Sequence, residues 1–163
     1  MRYGVRRALV TLTAASFAAG WPARALVQSA GPAGTWIGSY TCAQGVTALD
    51  LSLTADGGNR VRGIFHFASL PPRHQVPEGC FRMAGRFDPQ TGALTLAPGE
   101  WLRRPPGYVT VGLRGVVTPD GGTLAGRVEG PGCTSFTLRR AAAPLPRPPS
   151  CAASAPAVAL AAH

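Results

Sequence analysis

The chain is 163 residues long and carries 21 Gly, 16 Pro and 4 Cys, with only 14% charged side chains. That length suits one domain of about 100–150 residues with short appendages. All sixteen basic residues are Arg, against seven acids, for a formal charge of +9. Such figures exclude a multidomain enzyme, a P-loop or Rossmann unit and a helical bundle, because Gly and Pro at this density interrupt long helices.

Residues 1–25 read as a secretory signal peptide. Arg2, Arg6 and Arg7 make a basic start, residues 8–20 an apolar stretch, and Ala23-Arg24-Ala25 a small-residue cleavage site. The apolar stretch is shorter than the roughly 20 residues that span a bilayer, so no transmembrane segment is expected. Arg6-Arg7 leave both the general and the twin-arginine export routes open. Removing four Arg with the signal leaves twelve against seven acids, or +5. This balance gives no reason to expect specific nucleic-acid binding. A periplasmic or extracellular location is expected, with a linker at 26–33.

From 34 to 140 the apolar residues alternate with a period of two, which predicts eight strands and no helix. They fall at about 35–42, 47–54, 60–67, 80–87, 93–97, 108–117, 123–129 and 134–139. Turn signals lie at Asp56-Gly57-Gly58-Asn59, Asp88–Gly92 and Pro119-Asp120-Gly121-Gly122. With Leu49, Leu51 and Leu53 set inward, 21 large apolar residues fall in phase, from Trp36 to Leu138 and including Val109. Gly38, Gly63, Gly85, Gly115 and Gly126 share that phase, and inward mid-strand glycines let a sheet bend sharply. The fold class is therefore all-β: an antiparallel up-and-down meander of about eight strands closing into a small barrel.

In that barrel the tight turns fall at one end and the longer loops at the other, where recognition is expected. Cys42 ends the first strand and Cys133 begins the last, both at the loop end. Closure makes those strands neighbours, so a Cys42–Cys133 disulfide is predicted. Cys80 and Cys151 either pair or stay free. Residues 141–163, rich in Ala and Pro, read as a disordered tail.

The inward register holds no ionisable residue, which argues against a buried acid/base site. Cys80 near His74 has no helix N-terminus to activate a thiolate, and Glu78 and Glu100 read as solvated loop acids. His66, His74 and His163 lack zinc-ligand spacing. No catalytic residue, metal or cofactor is assigned, and the protein is expected not to be an enzyme. The candidate binding residues are Trp101, Arg103, Arg104 and Tyr108 in the Pro-stiffened segment 98–108, with His74 and Glu78 in the 68–79 loop. Trp101 and Tyr108 offer flat faces for sugars or apolar groups, and the two Arg offer forked donors for carboxylate or phosphate. The competing reading, which the residues favour, has Trp101 folding over the barrel end as a plug.

Gly34-Thr35-Trp36 resembles the opening G-x-W of lipocalin- and avidin-like barrels. The resemblance implies that Trp36 closes one barrel end beneath Arg139 or Arg140. The pattern G-T-W-x-G-x-Y-x-C-x-Q-G-x-T over 34–47, P-P-G-Y at 105–108 and G-C-x-x-F-x-L-R over 132–139 is similar to small exported bacterial barrel modules of unassigned activity. Tyr40-Thr41-Cys42 and Cys133 also resemble the periplasmic lysozyme inhibitors, whose Ser-Gly-x-x-Tyr loop is missing here. The function expected is a monomeric, non-catalytic binding module of the bacterial envelope. Its partner would be an envelope glycan, an anionic polymer or another exported protein. The alternatives are an inhibitor of a secreted hydrolase and a lipocalin-like carrier of a small apolar ligand.

Overall fold

A computed structural model describes residues 31–56, 58–71 and 76–152. Eight strands run β1 Gly34–Cys42, β2 Gly45–Ala55, β3 Arg60–Ala68, β4 Gly79–Phe87, β5 Ala93–Arg103, β6 Gly112–Val117, β7 Thr123–Glu129 and β8 Ser135–Ala141. Each pairs antiparallel with the next, and β8 returns to β1, so the sheet closes as a barrel in meander order. The signal segment and linker lie almost wholly outside the described residues. Among those described, no helix is long and apolar enough to cross a membrane.

Period-two patterning dictates which side chains go in. Twenty of the 21 in-phase residues form one buried cluster, joined by Cys42. Val109 is the exception at 59% exposed, because β6 begins at Gly112 and not at 108. The inward glycines mark close backbone approaches. A Cβ on Gly85 would collide with the Thr95 carbonyl, and one on Gly126 with the Arg114 carbonyl and with Gly115, its cross-strand partner.

One stretch differs from expectation. β5 continues past Leu96 to Arg103, where a loop from Pro98 was predicted. Beyond Leu96 this strand pairs with β4 alone, and the register shifts between Phe81 and Met83 as β5 bulges around Gly99-Glu100. A proline is tolerated on a strand with one unpaired side, and a bulge absorbs the extra residue.

The tight-turn end is closed by Trp36, fully buried, with the Arg140 guanidinium 4.2 Å from its ring centre. Trp36 donates from Nε1 to the Pro32 carbonyl at 2.8 Å. Arg140 donates to the carbonyls of Gly31, Ala33 and Gly121, so cation–π contact and four hydrogen bonds tie the segment before β1, a hairpin and the last strand together.

Two disulfides are present, Cys42–Cys133 and Cys80–Cys151. The first joins the β1 end to the start of the β8 region, as closure requires. The second settles the open choice for Cys80. It also corrects the reading of residues 141–152 as disordered: they lie along the barrel wall as a strap ending in a short 3-10 turn, Pro149–Cys151. Composition underestimated this segment because its fastening is covalent and polar, not apolar. The remainder, 153–163, lies outside the described residues. Both bonds are consistent with an oxidising, exported location.

Candidate functional site

The loop end is where the barrel stays open. Aromatic side chains of β1, β3 and β4 point inward near their loop-end halves, and the late start of β6 leaves the space above them unfilled. The result is a cup of about 410 Å³, floored by Phe65, Phe67 and Phe81 and rimmed by Tyr40, Tyr108, Val109 and the Cys42–Cys133 bridge. That volume lies within the roughly 300–1,000 Å³ typical of small-molecule sites.

Ring geometry fixes the floor. Phe65 stacks on Phe81 at 4.7 Å, Tyr40 meets Phe65 edge-on at 5.1 Å, and Tyr108 stacks on Phe67 at 5.4 Å. Polar groups are few. Gln44 donates from Nε2 to the Tyr40 hydroxyl at 3.1 Å and to Thr47 Oγ1 at 3.3 Å. Burial, with Tyr108 nearby, pushes the Tyr40 phenol far above its ordinary pKa, against the pull of Thr47 and Gln44. Tyr40 therefore keeps its proton throughout the neutral range and stays a hydrogen-bond donor.

The candidate residues divide between two neighbourhoods. Trp101 and Tyr108 meet through Phe67: the indole is half-buried, edge-on to Phe81 at 5.1 Å and to Phe67 at 6.3 Å. Trp101 thus supports the aromatic floor from the β5 side and does not stand free in a loop. Arg103 and Glu78 come together on the outer wall, with Nη1 to Oε2 at 3.4 Å. Arg104 is exposed, with no acidic partner among the described residues. His74 lies outside the described residues.

Sequence reasoning missed Phe65, Phe67, Phe81 and Tyr40 as site residues because it counted them as core, which they also are. Their clustering at the loop-end halves of three strands was the available signal.

Glu78 leads to a second polar group. Its Oε1 lies 2.8 Å from His66 Nε2, on an outward position that the strap has covered, leaving His66 3% exposed. Next to it on the sheet, Asp50 is fully enclosed. It accepts from Arg147 Nη2 at 3.0 Å on both oxygens and from the Leu145 backbone N–H at 2.7 Å. Arg147 Nη2 also reaches Ser52 Oγ at 2.8 Å. Burial raises the Asp50 pKa, against the opposing pull of Arg147, the Leu145 N–H and His66. Among the described residues, His66 Nδ1 and Arg147 Nε are buried with no hydrogen-bond partner. The charged groups of the cluster are paired with one another, and it fastens the strap.

No family model matches the chain, and no curated protein or solved structure does either.

Proposed function

We propose that this barrel is a non-catalytic binding module of the bacterial envelope that engages its partner at the loop end. A sugar or other ring-bearing group would sit in the aromatic cup, with the exposed Arg104, in the segment leading to the Gly107–Val109 rim, available for an anionic substituent. The cup carries this reading: a mostly apolar cavity with the Tyr40–Gln44–Thr47 polar edge has the composition that binding pockets share, and stacked rings supply flat faces. The enclosed Phe65–Phe67–Phe81 floor favours a second reading, a carrier of a small apolar ligand.

The test is calorimetric titration of the full chain with an N-acetylhexosamine oligosaccharide and with an anilinonaphthalene sulfonate dye. Val109→Trp fills the mouth from an exposed position and leaves the core intact. Saturable oligosaccharide binding abolished by V109W supports the module. Dye binding alone, equally sensitive to V109W, supports the carrier. Binding of either probe that ignores V109W overturns the cup as the site.

A further inference from the structure

The outer wall carries an arrangement that only the strand register reveals. Arg60 on β3 is the cross-strand partner of Arg86 on β4, Arg86 of Thr95 on β5, Thr95 of Arg114 on β6, and Arg114 of Arg127 on β7. Four arginines therefore stand in one row at right angles to the strands. At about 4.8 Å per strand the row spans roughly 19 Å. Like charges placed directly opposite on adjacent strands repel and work against the sheet, and this row does so twice, at Arg60–Arg86 and Arg114–Arg127. Two acids partly offset it: Asp56 lies 3.5 Å from Arg60, and Glu129 lies 2.9 Å from Arg114. Arg86 and Arg127 are exposed with no acidic partner among the described residues. Beside the belt runs a parallel row of small side chains, Ala93, Val116, Ala125 and Thr137, also matched across strands.

We propose that this arginine belt is a second binding site, separate from the cup, for a linear acidic polysaccharide laid across β3–β7. Three features select that partner. The belt crosses five of the eight strands of a closed barrel, so it curves around the molecule. A flexible chain can follow that curve, whereas a flat lipid surface meets a cylinder only along a line. Single-stranded nucleic acid is held by aromatic platforms on which its bases stack, and neither the belt nor the row of small side chains carries a ring. Guanidinium forks match the paired oxygens of carboxylates, and the low shelf gives the sugar rings clearance beside them.

The experiment measures anisotropy of a labelled oligogalacturonate against the full chain at about 20 and 200 mM salt, where the screening length falls from roughly 20 to 7 Å. Arg86→Gln with Arg127→Gln is expected to weaken binding about five- to tenfold and to flatten its salt dependence. Because the double variant relieves two like-charge contacts, its Tm should hold or rise. A charge-matched control, Arg82→Gln with Arg139→Gln, removes the same net charge outside the belt and should retain binding. Equal loss in the control would show net charge alone at work and overturn the belt. So would unchanged binding in R86Q/R127Q, or tighter binding to phosphatidylglycerol vesicles or oligothymidylate than to the oligogalacturonate. V109W leaves this measurement untouched, so failure of the cup and failure of the belt are separable.

Discussion

Arg147 decides whether the polar cluster on the outer wall is tolerable. Its guanidinium neutralises the enclosed Asp50 carboxylate, and breaking one side of a buried pair typically costs about 3–5 kcal/mol. Burial has already raised the Asp50 pKa, so the folded state holds that proton more tightly than the unfolded chain. Its stability contribution is then present at acid pH and declines as pH rises above the ordinary carboxylate range. Arg147→Ala should raise that pKa further and extend the decline. Denaturant melts are expected to show R147A close to wild type near pH 4 and destabilised by about 3 kcal/mol near pH 7. A deficit independent of pH would mean that Arg147 acts by packing, not by charge. His66 makes the same point more quietly: an outward position by alternation became a buried one when the strap covered it.

The strap is held by three different devices at the scale of the element. These are the Leu145 N–H to Asp50, the Arg147 fork, and the Cys80–Cys151 bridge, both of whose sulfur-bearing residues are fully buried. A closed loop of this size is worth roughly 4 kcal/mol in the chain-entropy model, and removal of native disulfides costs about 2–5. Replacing both Cys80 and Cys151 by Ser is expected to lower stability by about 2–4 kcal/mol and to raise hydrogen exchange across 141–151 before the rest of the barrel. If exchange there stays slow, the Asp50–Arg147 contact alone retains the strap. β5 teaches a related lesson. Its Pro98-Gly99 pair looks like a loop in isolation, yet the strand continues because only one of its edges has to be paired there.

Closure of the whole barrel depends on backbones meeting where glycine stands. Gly115 and Gly126 face each other across β6 and β7, and a Cβ on Gly126 would collide with the β6 backbone at Arg114 and Gly115. Overpacking of a tight site costs about 1–3 kcal/mol and more when backbone must move. Gly126→Val should therefore lower Tm by at least about 10 °C, since 1 kcal/mol corresponds to roughly 4–8 °C in a domain of this size. Gly107→Ala meets open space and suffers only from its positive φ of 79°. It should cost about 1–2 kcal/mol. Thermal melts of the two variants separate the steric role from the conformational one. Equal losses would show that Gly126 is not a point of close approach.

The sequence by itself determined the all-β meander, nearly the whole inward face and the Cys42–Cys133 bond. Alternation is a local property, and closure then makes the first and last strands neighbours. Only the tertiary structure decided the rest. The cup exists because β6 starts four residues late, which turns Phe65, Phe67, Phe81 and Tyr40 from filled core into a floor. The strap's place follows from a disulfide whose partner composition could not name and from an Asp–Arg pair 97 residues apart. The arginine belt depends on register summed over four hairpins. Each turn sets its own offset, so residues far apart in the chain come into line only when every offset is known.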